Sequence, residues 1–225
     1  MDVLLSNIRI EINDNLFLKN PESSDLGKKI VNGSIDLINE KGFDCFTFAK
    51  LGKEIGSTEA SIYRYFDSKH KLLVYITSLY WGWLEYKLMF RLANITDKED
   101  KINRAIAVIT NYKNNDGFQA PFNEEKLNKI VISESSKAYL TKEVDEENKQ
   151  GFFAGYKQLV AHISELIIDY SPNYKYPQML ISTVIEGAHH QHYFAQHLPS
   201  LTNTCEGENT IFEFYKSLIY KALNA

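Results

Sequence analysis

Apolar residues recur every three or four positions along most of this chain, the spacing that puts them on one face of a helix. Ile30, Ile35, Leu37 and Ile38 do so in a stretch from Leu26 to about Lys41, which Pro21 to Asp25 opens and Gly42 stops. Phe48, Leu51 and Ile55 follow behind Thr47, whose hydroxyl suits an N-cap. Gly56 then stands where a left-handed residue ends a helix, and Thr58 supplies a fresh cap two residues later. Ile62 and Phe66, one turn apart, point inward from the next short helix. The result is a helix-turn-helix pattern. Asp67-Ser68 ends it and opens a long helix to about Leu92. Further helical stretches cover Asp97 to Tyr112, Asn123 to about Ser133, Thr141 to Tyr170, Pro177 to about His197 and Asn209 to Leu223, nine in all. The expected class is all-α.

One stretch breaks the period. Asn7 to Lys19 alternates apolar and polar residues on both sides of Asn13-Asp14, which tolerates a tight two-residue turn, and Ile8, Ile10 and Ile12 would share a face. This predicts an N-terminal β-hairpin leaning on its own domain or a partner subunit rather than on DNA, since a lone two-stranded hairpin is marginal in water. The expected organisation is an extension over 1–25, a helix-turn-helix domain over 26–72 and a helical body over 73–225.

Composition narrows the function classes. With 225 residues, 44% of them hydrophobic, the chain can bury a large core. No apolar run approaches the roughly 20 residues needed to span a bilayer, and Met1 to Leu5 lacks the basic start of a signal peptide, so a cytoplasmic protein without membrane contact is expected. Cys45 and Cys205 read as two reduced thiols rather than a disulfide framework or metal knuckle. Net charge is −4, yet residues 45–75 carry five basic groups (Lys50, Lys53, Arg64, Lys69, Lys71) against three acidic (Glu54, Glu59, Asp67). Such a weakly basic head makes few phosphate contacts per subunit and depends on dimerisation to hold DNA.

The helix after Thr58 turns a small-residue, polar face outward, which suits close approach to base edges. Glu59, Ala60 and Ser61 are placed at bases; Thr58, Tyr63, Tyr65 and Lys69 at phosphates; Arg64 at either; and Thr47 completes the candidate DNA-binding set. At these positions the chain resembles the tetracycline-repressor (TetR) family of transcriptional regulators: Thr47, Gly56, Thr58, Ile62-Tyr63-Arg64-Tyr65-Phe66, Lys69 and Leu72 follow its pattern, over Leu26 to about Leu73. Gly52 departs from the family's usual Ala, at about 1 kcal/mol of helix propensity, and Ser57 from its usual Val. The resemblance implies a homodimer that binds double-stranded operator DNA and answers to a small-molecule effector, with the last two helices forming a four-helix bundle across the two-fold axis.

Leu180, Val184, Ala188 and Gln191, with Phe212, Tyr215, Leu218 and Ile219, recur along single sides of those two helices and are the candidate dimer interface. Trp83, Tyr86, Phe90, Tyr112, Phe152 and Tyr156 are the candidate walls of an apolar effector pocket. Four of six histidines crowd into 189–197. Glu186-x-x-His189 matches half of a di-iron signature, but no second Glu-x-x-His occurs, so interface or pocket histidines are the preferred reading and no metal or cofactor is expected. Neither a nucleophile elbow nor a phosphate-binding glycine loop is present, so no catalytic residue is assigned. The leading reading is a ligand-released regulator, favoured as a repressor; the alternative is a helical metal- or ligand-binding protein, such as a di-iron-like oxidase, whose helix-turn-helix is incidental.

Overall fold

The computed structural model describes residues 10–111, 120–204 and 209–224, and the described residues hold eleven α-helices and no strand. They are α1 (Asp25–Lys41), α2 (Phe48–Glu54), α3 (Glu59–Tyr63), α4 (Lys69–Leu92), α5 (Lys98–Ile109), α6 (Glu124–Glu134), α7 (Ser136–Tyr139), α8 (Val144–Lys149), α9 (Ala154–Tyr170), α10 (Pro177–His197) and α11 (Thr210–Leu223). Side-chain N-caps open at least five of these helices. Ser24 accepts from the Gly27 N–H and opens α1, Asp97 accepts from Asp100 before α5, and Asn123 accepts from Lys126 before α6. Pro177 occupies the first turn of α10.

Two expectations fail here. No β-hairpin forms in the described part of Asn7–Lys19: residues 10–13 are irregular and Asp14–Leu16 is a turn of 3₁₀ helix, capped by Asn13, while residues 7–9 lie outside the described residues. The alternation there reflects single side chains inserted into the core, with Leu16 wholly buried, rather than a paired ladder. The single helix expected over Thr141–Tyr170 is two. Gly151 adopts φ +82 and closes α8, the Gly151 N–H donating to Asn148 O at 3.1 Å and the Phe152 N–H to Glu147 O at 3.1 Å. This double closure is a Schellman stop, with Phe152 as its buried apolar follower.

The chain falls into two compact units, Met1–Trp83 with Gln119–Gly155, and Leu84–Phe118 with Tyr156–Ala225. The first unit therefore extends beyond the expected 26–72 head and takes in α6 to α8. Its core gathers Ile30, Ile35, Phe46, Leu51, Ile62 and Phe66, all at or below 1% exposure. Polar ties bind the later segment into it. Glu134, only 8% exposed, accepts from the Phe43 N–H at 3.1 Å and pairs with Lys137 at 2.9 Å, which also reaches Asp44 at 2.8 Å. Lys126 pairs with Asp36 at 2.7 Å, and His70 meets Glu147 at 2.7 Å. The second unit packs α5, α9, α10 and α11 around Ile102, Leu159, Ile163, Ile181, Val184 and Ile219.

Candidate nucleic-acid interface

The helix-turn-helix is built by its caps. Thr47 accepts from the Lys50 N–H at 3.2 Å and Thr58 from the Ser61 N–H at 3.2 Å, so each short helix has one orphan N–H of its first turn satisfied. Between them Gly56 takes φ +67, and the Ser57 N–H returns to Gly52 O at 2.8 Å. Gly52 is what lets the turn fold so closely onto α2: a Cβ there would lie 2.9 Å from Ser57 O and 3.3 Å from Glu59 N. The propensity cost of this glycine thus secures the approach of the second helix. Ile62 and Phe66 have no exposed surface and seat α3 on the core.

That leaves an outward face. Thr58, Glu59, Ala60, Tyr63 and Arg64 are exposed, and Ser61 is half-buried with its hydroxyl 2.8 Å from Thr58 Oγ1. Tyr63 rests edge-on against Phe48 with ring centroids 4.9 Å apart, which fixes its ring while 47% of the residue remains open to solvent. Small and polar groups on the outside of α3, with no bulky apolar residue among Glu59 to Ser61, can come close to base edges.

Two residues placed at phosphates by sequence are occupied otherwise. Tyr65 is 3% exposed and its hydroxyl lies 2.8 Å from Ser24 Oγ. The Lys69 ammonium donates to Phe43 O at 3.3 Å and Phe46 O at 3.4 Å and sits 4.7 Å over the Phe43 ring. Both brace the head from within. Their place in the motif suits contact and bracing alike, because spacing does not reveal which side of a helix end faces the core.

The other candidate sets divide. Trp83, fully buried and edge-on to Phe122 at 6.1 Å, and Phe152, 3% exposed, belong to the first unit's core. Tyr86, Phe90 and Tyr156 belong to the second unit: Tyr156 donates to Glu186 at 3.0 Å, Tyr86 is half-buried and Phe90 is 58% exposed. Tyr112 lies outside the described residues. A cleft of about 80 Å³ that sequence did not signal lies in the first unit, lined by Ile10, Val31, Leu79 and Phe122 together with the charged Glu22 and Lys28. Of the interface candidates, Val184, Ala188, Tyr215 and Ile219 fill their own unit's core at 0 to 6% exposure, whereas Leu180, Gln191 and Phe212 are half-buried and Leu218 is 37% exposed. The open apolar surface on these helices includes Met179, Phe214 and Leu218, with Tyr193 exposed to a similar degree as Leu218.

The histidines separate as well. His189 is 3% exposed, and burial, reinforced by His192 and His190, lowers its pKa to about 3. His192 Nε2 lies 2.9 Å from Thr110 O, and His190 stacks on Phe194 at 5.9 Å. His162 Nδ1 meets Glu85. Among the described residues no three His, Cys, Asp or Glu side chains are disposed to hold a metal ion, and no helix is long and apolar enough to cross a membrane.

Residues 30–76 match the model of a family described as bacterial regulatory proteins, tetR family. No curated protein matches the chain in sequence. Among solved structures, the fatty acid degradation regulator FadR from Bacillus halodurans is similar at a TM-score of 0.57, with 18% identity over 91% of this chain and 96% of its own. FadR from Bacillus subtilis, solved with stearoyl-CoA, gives 0.56 at 14% identity over 87% and 96%. AibR, solved with isovaleryl coenzyme A and operator DNA, gives 0.53 at 15% identity over 86% and 97%. At these identities the likeness is one of fold.

Proposed function

We propose that this chain, which belongs to the TetR family of bacterial regulatory proteins, is a cytoplasmic, homodimeric transcriptional regulator that binds a two-fold symmetric operator through α3 and is released by a small effector. The observation that carries this reading is the doubly capped helix-turn-helix, with Ile62 and Phe66 buried and Glu59, Ala60 and Arg64 turned outward. In this reading Glu59, Ala60 and Ser61 meet base edges in the major groove. Thr58 and Tyr63 meet the backbone, Arg64 meets bases or backbone, and Tyr65 and Lys69 hold the head that presents them.

The dimer follows from the same physics. One weakly basic head cannot hold DNA against physiological salt, whereas two heads spaced about 34–36 Å apart engage successive major grooves. Met179, Phe214 and Leu218 offer an apolar surface for the second copy. The effector belongs to the second unit, where Tyr86, Phe90 and Tyr156 bring aromatic area and the Tyr156–Glu186 and His162–Glu85 pairs bring polar tips. Acyl-CoA esters, bound by two proteins of this fold, are the first compounds to try. Coupling needs only that the effector bind one of two conformations better, by roughly 1–3 kcal/mol, and the operator then weakens the effector by the same factor. The output is promoter occupancy, as a repressor, and not turnover.

Selection of duplexes from a random library by the purified protein tests this. Enrichment of a two-fold symmetric motif with half-sites one helical turn apart is the expected result. Failure to enrich any motif across low and moderate salt would overturn it.

A further inference from the structure

Among the described residues the expected hairpin is absent, and what stands in its place has a structure of its own. Residues 10–24 run as a strap over the first unit, held at each step by a different kind of contact. At its start Ile10 lies over Gly82 of α4, where a Cβ would come within 2.3 Å of Ile10 Cγ2, so the approach exists only because residue 82 has no side chain. Asn13 Nδ2 donates to Gln150 O at 2.7 Å, at the Schellman stop of α8. Leu16 is inserted with no exposed surface, and Phe17 meets Tyr75 edge-on at 6.0 Å.

The strap then reaches the end of the recognition helix. The Leu18 N–H donates to Tyr65 O at 2.8 Å, Lys19 sits 5.1 Å over the Tyr65 ring, and Ser24 Oγ lies 2.8 Å from the Tyr65 hydroxyl. Tyr65 follows α3 by two residues, and three successive groups of the strap grip its carbonyl, ring and hydroxyl. A five-residue helix is far too short to be stable by itself in water, so its orientation comes from what holds its two ends. Thr58 and the Gly52 turn hold the first end; the strap holds the second.

We infer that residues 10–24 are a positioning element for the recognition helix, tying Tyr65 to the α8 stop, so that operator affinity depends on Leu16 and Asn13 although neither meets DNA. This rests on α3 being the DNA reader. The strap also gives the head a route by which movement at the Gln150–Gly151 turn reaches α3 without passing along α4. Its contact with Tyr65 explains why that residue is buried rather than presented to phosphate.

The test uses the full-length protein in two assays, so that the strap and the DNA-reading role fail separately. Amide hydrogen exchange without DNA compares residues 58–66 with α5 as an internal reference. Anisotropy then measures affinity for the duplex most enriched by the wild-type protein, at several salt concentrations. Leu16→Ala is expected to speed exchange in 58–66 by about tenfold or more over α5 and to weaken the duplex by at least about fivefold. The log-log salt slope should stay unchanged, because no phosphate contact is lost. Leu16→Met restores both. Asn13→Ala, which removes the bond to Gln150 and the cap on the Asp14–Leu16 turn and leaves the core intact, gives the same pattern at about two- to threefold. Exchange in 58–66 that tracks α5 in both variants, or unaltered duplex affinity, overturns the inference. So does a flattened salt slope in Asn13→Ala, which would mean direct contact with DNA. A wild-type protein that enriches no duplex, with the exchange pattern intact, removes the DNA-reading role and leaves the strap's grip on α3 standing.

Discussion

The recognition helix and the last two helices both carry apolar residues at helical spacing, but they use them differently. In α3 one inward residue, Ile62, is wholly buried, with Phe66 buried just beyond the helix end, and Glu59 to Ser61 on its outer side are small or polar. In α10 and α11 the apolar girdle is wider than the core can take up. Ile211, Tyr215, Ile219 and Leu223, four residues apart, turn inward, whereas Phe214 and Leu218 form a parallel row left 57% and 37% exposed. A helix with one apolar stripe has a single possible inner face. A helix with two has a choice, and only packing makes it.

Substitutions on the outer row should have the largest consequence. Phe214→Glu with Leu218→Glu is expected to give a monomer in sedimentation velocity and to cost operator affinity on the order of 100-fold, as the second half-site is no longer engaged by the same particle. Ile219→Ala on the inner row should leave the dimer intact and lower unfolding stability by about 2–5 kcal/mol in urea. A dimer that survives the first change and dissociates with the second would invert the assignment of the two rows.

Next in size is Trp83→Ala. Burial without exposed surface predicts a loss of about 3–5 kcal/mol in urea unfolding, whereas Tyr86→Ala, half-buried in the second unit, should cost far less stability and act on effector affinity in calorimetry. If Trp83→Ala unfolded like wild type and abolished effector binding, it would belong to the pocket after all.

His189 sharpens the contrast through pH. Its folded pKa of about 3 lies below the ordinary 6.5, so the unfolded chain binds more protons between those values. Stability should therefore be fully present above about pH 6.5 and fall as pH drops toward 3, by up to about 1.4 kcal/mol per unit from this group. Urea midpoints at pH 4 to 7 measure it, and His189→Gln should flatten the His189 part of the slope. Smallest are the caps: Thr47→Ala and Thr58→Ala should each lose about 1 kcal/mol, more than the exposed Lys126–Asp36 pair contributes.

Legibility followed the same division. Thr47, Gly56, Thr58, Ile62 and Phe66 could be placed from sequence because caps and turns act within four residues, and each occupies its expected local role. Gly151 was equally readable as a helix stop, and the acidic run before it concealed the break between α8 and α9. The strap is not legible in the sequence, because alternation arises both from a β-ladder and from an irregular segment that inserts every few side chains. Tyr65, Lys69, Val184 and Ile219 needed tertiary information: their types suit contact, interface and core alike. The Glu134–Lys137–Asp44 tie joins residues some 90 positions apart, and no local pattern announces such a pair.

The measurement that bears most directly on the account is a second selection from the random library, with Ser61→Ala and Arg64→Ala compared with Lys69→Ala. If the outer face of α3 reads DNA, Ser61→Ala shifts the preferred base at a fixed position of each half-site by on the order of 1 kcal/mol, roughly fivefold. Arg64→Ala shifts the preference or flattens the salt slope by about 0.9 per subunit for each lost phosphate contact. Lys69→Ala, whose ammonium is held by two carbonyls of the head, keeps the wild-type motif and slope and loses only affinity. Wild-type motifs and slopes from the Ser61 and Arg64 variants, with a changed motif from Lys69→Ala, would contradict it.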